Sequence, residues 1–135
     1  MKIRSTIGIG VDIINTNRFR LLFEKKTSFV DRLSKRILHP TRELPRFQSL
    51  YKANVDESIR FIAGSWSIKE ALFKTLDTCE QEKFNFNHWY KSYNSNGKPF
   101  VSNDNYKCDE SFLVSVSHDH DILVANVLRQ KEITI

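Results

Sequence analysis

Three groups of polar residues in this sequence have the types and spacing that chemistry requires. In the first group, Asp12 follows Gly8 and Gly10 at alternate positions in an apolar stretch. A β-strand here would place the carboxylate and both glycines on one face, since side chains alternate between faces along a strand. Two positions without side chains leave room for another backbone or a ligand to approach that carboxylate.

The second group lies in a helical repeat of apolar residues. Turning the helix by its repeat puts Glu70 on the apolar face, between Trp66 and Phe73. Such a carboxylate is costly unless it is paired or holds a metal. Lys74 lies one turn further on, so an internal Glu70–Lys74 pair is one explanation and a functional carboxylate is the other.

The third group, Ser115-x-Ser117-His118, ends a predicted strand. Its bland interpretation is an exposed strand face followed by a turn. Two histidines and two aspartates within 118–121 could also hold a metal, although such residues at a hairpin tip more commonly face solvent. A serine nucleophile at 64–66 is disfavoured, because the second glycine of a nucleophile elbow is missing.

The elements that must position these groups predict one α+β domain over residues 1–135. A central helix over 56–76 begins at Asn54-x-x-Glu57, which resembles a capping box, and Gly64 inside it indicates close packing. Before the central helix, the pattern predicts a strand over 3–14, basic helices from Asn15, and a short helix that starts near 41–43. After it, the pattern predicts a polar loop to Glu82 and two strands, over 84–93 and 98–102, joined by a turn at Asn96-Gly97. A final hairpin is predicted over 113–118 and 122–128.

Composition indicates a globular chain that needs an anionic partner. No apolar run approaches the ~20 residues needed to cross a bilayer, so no membrane partner is expected. Of the net charge of +5, residues 1–52 carry +8 and residues 53–135 carry −3. Cys79 and Cys108 lack motif spacing and are expected to be reduced thiols in an intracellular compartment.

Four motifs in order give the sequence a family resemblance that spans nearly the whole chain. They are Gly8-Ile9-Gly10-Val11-Asp12-Ile13, Phe61-Ile62-Ala63-Gly64 with Lys69-Glu70-Ala71 and Lys74, Asn96-Gly97-Lys98-Pro99, and Ser115-Val116-Ser117-His118. Together they resemble the holo-[acyl-carrier-protein] synthases, which are small 4′-phosphopantetheinyl transferases. The resemblance implies the fold of that family, an antiparallel sheet packed on a long central helix.

The resemblance also implies a reaction and its residues. Phosphopantetheine would pass from coenzyme A to a serine of an apo acyl carrier protein, with Mg²⁺, and adenosine 3′,5′-bisphosphate would leave. Asp12 and Glu70 would hold the metal and, with Lys74, form the catalytic group. Ser117 and His118, with Lys74, would bind coenzyme A.

Partners and location follow from the same resemblance. Arg18 would bind the acidic carrier, with Leu22 and Lys25 as further contacts, and the chain would form a homotrimer that shares sites between subunits. Residues 77–79 replace the Gly-Thr-Gly of the family, which puts the details of coenzyme binding in doubt. With the Asn-, Lys- and Phe-rich composition, this departure suggests a mitochondrial member, and a cytoplasmic location is the alternative. The alternative function, from a different class of protein, is that of a non-catalytic nucleic-acid-binding module that uses the basic 18–46 region. If the chain is a transferase, no nucleic acid is expected as a partner.

Overall fold

The computed structural model describes residues 1–106 and 109–135, so Cys108 lies outside the described residues, and Cys79 is an exposed free thiol. The helices are α1 (Asn17–Phe23), α2 (Thr27–Ile37), α3 (Leu44–Ala53), α4 (Val55–Phe73) and α5 (Thr78–Glu82), followed by a 3₁₀ turn over Phe86–His88. The strands are β1 (Lys2–Asn15), β2 (Trp89–Tyr93), β3 (Pro99–Asn103), β4 (Glu110–Asp119) and β5 (Ile122–Thr134). Within the described part of the chain, no helix is long and apolar enough to span a membrane.

The five strands form one antiparallel sheet in the order β1-β5-β4-β3-β2, which makes β1 an edge strand. Helix α4 packs on one face of the sheet against β1 and β5, and α3 contacts α4. The predicted α+β fold, an antiparallel sheet on a long central helix, is therefore confirmed. The other face of the sheet carries exposed apolar side chains on β1, among them Ile9 at 72% and Ile13 at 66% exposure.

Strand β1 and helix α4 are in direct backbone contact through the two glycines. A Cβ added to Gly10 would lie 1.9 Å from the carbonyl oxygen of Ala71, and one added to Gly8 would lie 3.0 Å from that of Thr75. Gly10 thus meets the last turn of α4, and Gly8 meets Thr75 just beyond the end of the helix at Phe73. The Gly-x-Gly spacing thus allows the helix to lie on the strand.

We expect Gly10→Ala to destabilise the fold by about 3 kcal/mol, because backbone on both sides limits the relief of the clash with Ala71. Gly64→Ala is the matched control. A Cβ there would meet only Leu123 Cδ1, at 3.9 Å, so the prediction that Gly64 marks close packing is wrong, and alanine should stabilise α4 by up to about 1 kcal/mol. Denaturant unfolding of both variants measures the difference, and equal effects would contradict the close contact at Gly10.

Several predicted boundaries differ from those observed. Asn54 does cap α4, because its Oδ1 accepts from Glu57 N at 3.2 Å. The strand predicted over 84–93 begins only at Trp89, and the predicted polar loop to Glu82 contains helix α5. The turn at Asn96-Gly97 is confirmed within a longer loop, in which Asn94 Oδ1 accepts from the backbone of residues 96 and 98 and Gly97 has φ +78°.

The aromatic side chains of the basic region pack in the interior. Phe19 meets Trp66 edge to face with ring centroids 6.1 Å apart, and Phe23 meets Phe47 at 6.0 Å. Phe19 and Phe47 are buried in the main core. Phe19, Phe23 and Phe47 therefore do not form an exposed platform on which nucleic-acid bases could stack.

Candidate active site

Asp12 is fixed at the contact between β1 and α4. Ser67 Oγ donates a hydrogen bond to Asp12 Oδ2 at 2.8 Å. Lys74 Nζ donates to the carbonyl of Val11 at 2.6 Å and lies 3.8 Å from Asp12 Oδ1. The ammonium group of Lys74 thus faces Asp12, and the Lys74 side chain is half exposed.

Glu70, on helix α4, lies close enough to Asp12 for the charge of the Asp12 carboxylate to act on it. Partial burial raises the pKa of Glu70, the negative charge of Asp12 raises it further, and the charges of Lys74 and Arg18 oppose both. Among the described residues, no ion pair joins Glu70 to Lys74, because Lys74 contacts Asp12 instead. The internal pair that the spacing allowed is therefore not formed, and the Glu70 carboxylate is partly buried and subject to the negative charge of Asp12.

Two neighbouring carboxylates that repel each other fit a small divalent cation. Mg²⁺ usually takes one or two carboxylates and fills its other positions with water and phosphate oxygens. Asp12 and Glu70 are carboxylates of the kind that could provide such ligands. Groups of three or more His, Cys, Asp or Glu side chains with metal-site geometry are absent from residues 1–106 and 109–135, which leaves the 118–121 cluster without support.

Of the three predicted coenzyme residues, Lys74 lies at Asp12, whereas Ser117 and His118 lie elsewhere in the chain. His118 pairs with Leu123 on β5, and Ser117, which is exposed, pairs with Val124. Because neighbouring residues of a strand face opposite ways, Ser117 points to the outer face of the sheet and His118 to the helix side. The structure therefore does not bring Ser117 and His118 to Asp12 and Glu70 within one chain.

His118 lines a cavity of about 580 Å³ on the far side of α4. The α4 residues that line it include Gly64, Ser65 and Ile68 but not Glu70. At about 100° per residue, Glu70 lies about 160° around the helix from Ile68. The cavity is also lined by cationic side chains that the sequence analysis did not assign: Arg42, Arg46, Arg60 and Lys91.

A buried ion pair below this cavity escaped the sequence analysis. Lys69 is 1% exposed, and its Nζ donates to Glu43 Oε1 and to the carbonyl of Ile37, each at 2.6 Å. Glu43 Oε2 accepts from Ser65 Oγ at 3.3 Å and from the backbone N–H of Lys91 at 3.2 Å. Burial lowers the pKa of Lys69, and Glu43 opposes that effect. The sequence pattern pointed to Glu70 as the charged residue on the buried face of α4, but the deeply buried charged residue is its neighbour Lys69.

The segment that replaces the glycines of the family is an ordered helix. Asp77 and Glu80 form a reciprocal capping box at the start of α5. Arg129 Nη1 donates to Glu80 Oε1 at 3.0 Å and to the carbonyl of Thr75 at 3.0 Å. Side-chain contacts therefore hold the segment that stands in place of the Gly-Thr-Gly of the family.

Helix α1 presents a small basic and apolar surface next to Glu70. Arg18 and Lys25 are exposed, and Leu21 is 64% exposed between them. Leu22, the residue predicted for this surface, is half-buried and packs against the core. Arg18 is close enough to Glu70 to oppose the rise of its pKa, so the α1 surface adjoins the carboxylate site.

Comparison with known proteins shows the family to which the chain belongs. The family model described as the 4′-phosphopantetheinyl transferase superfamily matches residues 8–128. The holo-[acyl-carrier-protein] synthase of Anoxybacillus flavithermus is 31% identical over 125 residues, which cover 93% of this chain and 96% of that protein. That of Geobacillus kaustophilus is 33% identical over 125 residues, which cover 93% and 89%.

Solved structures share the fold. The holo-(acyl-carrier-protein) synthase from Bacillus anthracis in complex with CoA (3′,5′-ADP) superposes with a TM-score of 0.68 at 24% identity, covering 93% of this chain and 97% of that one. The Helicobacter pylori enzyme in complex with coenzyme A gives a TM-score of 0.61 at 23% identity, covering 90% and 98%. Because the family match and the relatives both extend over nearly the whole sequence, the chain belongs to the holo-[acyl-carrier-protein] synthase type of the 4′-phosphopantetheinyl transferase superfamily.

Proposed function

We propose that this chain transfers 4′-phosphopantetheine from coenzyme A to a serine of an apo acyl carrier protein and releases adenosine 3′,5′-bisphosphate. The observation that carries the proposal is the convergence of Asp12, Glu70 and Lys74 at the contact of β1 with α4. The relatives that bear the synthase name align over nearly their full length.

Each residue of the site has a proposed task in this reaction. Asp12, held by Ser67, and Glu70 would be the ligands of Mg²⁺, which stabilises the negative charge that grows on a diphosphate under attack. Lys74 would place its ammonium against the phosphate oxygens. The raised pKa of Glu70 also suits it to accept the proton of the serine hydroxyl.

The carrier would dock on the surface of α1. Acyl carrier proteins are acidic, so Arg18 and Lys25 complement their charge, while Leu21 and the exposed part of Leu22 offer apolar contact. Arg18 lies next to Glu70, so a carrier bound there would deliver its serine to the carboxylate site.

We also propose that the active site is completed by a second copy of the chain in a homotrimer. The cavity with His118, Arg42, Arg46 and Arg60 suits the phosphates of coenzyme A, yet it lies across α4 from Glu70. The outer face of the sheet exposes apolar side chains, such as Ile9 and Ile13, that need a cover in water. Burying these faces against neighbouring copies would bring Ser117 of one chain towards the carboxylates of the next.

Mass spectrometry tests the reaction. An apo acyl carrier protein incubated with the chain, coenzyme A and Mg²⁺ should gain the mass of one phosphopantetheine, and EDTA should prevent the gain. A carrier that keeps its mass under all conditions would remove the proposed function.

Mixing two inactive variants tests the shared site. Glu70→Gln and His118→Ala chains should each be impaired alone, and co-refolded mixtures should regain part of the activity because some sites would take both intact residues from different chains. Light scattering should give three times the chain mass, and Ile9→Arg should lower that mass. A monomer with full activity would refute the trimer.

A mitochondrial location stays a prediction that composition and the 77–79 departure suggest. Microscopy of the tagged, full-length protein in the source cells would test it.

A further inference from the structure

The guanidinium of Arg20 forms an ion pair within the chain. Arg20 Nη1 donates to Asp56 Oδ1, which joins α1 to the first turn of α4. The hydrogen bond and charge of Asp56 raise the pKa of Arg20, and Arg20 lowers that of Asp56. Both side chains keep access to solvent, with 38% and 58% exposure.

This ion pair lies at the margin of the surface that would receive the carrier. At about 100° per residue, Arg20 lies about 100° around α1 from Leu21, and Arg18 lies about 60° from Leu21 on the other side. Lys25 follows the end of the helix at Phe23. The ionised Asp56 also places a negative charge beside a surface whose proposed partner is acidic. Among the described residues, Arg20 is the basic residue of α1 that forms an ion pair with a carboxylate of α4.

We propose that Asp56 is a specificity-determining residue that weakens docking of the acidic carrier by holding Arg20 away from it. A carrier carboxylate must compete with Asp56 for the guanidinium, and it meets the repulsion of Asp56 as well. The pair therefore sets the affinity for the carrier while leaving the transfer chemistry to Asp12, Glu70 and Lys74. This inference rests on the proposed function, because the readout is transfer to a carrier.

Steady-state kinetics on the full chain, with apo acyl carrier protein as the probe, test the inference. Asp56→Asn should lower the KM for the carrier about three- to fivefold at low ionic strength, which is the size expected for one exposed ion pair. The kcat and the KM for coenzyme A should not change. Added salt should shrink the gain, since exposed charges are screened beyond about 10 Å at 0.1 M.

Two further variants separate the inference from simple charge effects. Glu57→Gln removes the same charge from the next residue, which is exposed and makes no ion pair among the described residues, so its KM for the carrier should change much less. The double variant Arg20→Gln with Asp56→Asn should lose the gain. Circular dichroism confirms that each variant remains folded.

The outcomes distinguish the two levels of the proposal. If the unchanged chain transfers phosphopantetheine but Asp56→Asn leaves the KM for the carrier equal or higher, the role of Asp56 is wrong and the proposed function stands. An equal gain in Glu57→Gln, or a gain that survives removal of Arg20, also overturns that role. If the unchanged chain transfers nothing, the proposed function falls and this inference falls with it.

Discussion

Glu70→Gln is expected to reduce the rate of phosphopantetheine transfer about a thousandfold and to leave the protein folded. The amide keeps the shape of the side chain but loses the charge that would hold Mg²⁺ and accept the proton, and losing such groups costs 10² to about 10⁴ in rate. The measurement is the rate of mass gain of the carrier. Glu57→Gln, an exposed residue of the same helix, should keep the transfer chemistry of the unchanged chain.

The same substitution should stabilise the metal-free protein, and the sign follows from the pKa. Burial and Asp12 raise the pKa of Glu70 above its ordinary value of 4.5 in the folded state. Ionisation of Glu70 therefore costs folding free energy, and that cost grows as the pH rises from 4.5 through the raised pKa. The stability advantage of Glu70→Gln should be small at acid pH and larger at neutral pH.

Thermal unfolding with and without Mg²⁺ completes this test. Mg²⁺ should raise the melting temperature of the unchanged chain, because a ligand that binds only the folded state stabilises it, and the effect should be much smaller in Glu70→Gln. A variant that is less stable than the parent in EDTA at neutral pH would show that the Glu70 carboxylate stabilises the fold rather than destabilising it. An equal response of both proteins to Mg²⁺ would remove Glu70 from the metal site.

The sequence carries enough information to predict which residues of β1 and of α4 share a face at the site. Alternation along β1 puts Gly8, Gly10 and Asp12 on one face, and the helical repeat puts Glu70 between Trp66 and Phe73. These patterns are local, so each follows from the period of a single element. That the two elements meet needed the family resemblance, because spacing within one element carries no information about another.

Long-range pairs were beyond the reach of pattern. Glu43 and Lys69 lie 26 residues apart, and both are polar residues that a helical wheel assigns to the surface unless the partner is known. The cavity arginines likewise come from α3, α4 and the turn before α3, which only the tertiary fold brings together. The boundaries of β2 and the presence of α5 were missed because short apolar and polar stretches fit more than one element.

The buried pair should dominate stability. Lys69→Met is expected to lower the free energy of unfolding by about 3–5 kcal/mol, because the Glu43 carboxylate and the Ile37 carbonyl would lose their shared ammonium donor inside the protein. Lys35→Met is the matched control. Lys35 pairs with Asp31 on the surface of α2, at 57% exposure, so its loss should cost less than about 1 kcal/mol.

A double variant decides whether the stability lies in the pair. Glu43→Gln alone should also be costly, since Lys69 would remain as a buried cation, but combined with Lys69→Met it should cost clearly less than the sum of the two single changes. Denaturant unfolding at neutral pH gives all three free energies.

Because Glu43 also binds Ser65 and the backbone of Lys91, which line the cavity, the single variants should bind coenzyme A more weakly even where they remain folded. Strictly additive losses would mean that Glu43 and Lys69 act independently, and a Lys69→Met cost as small as that of Lys35→Met would mean that the pair does not hold α4 in place.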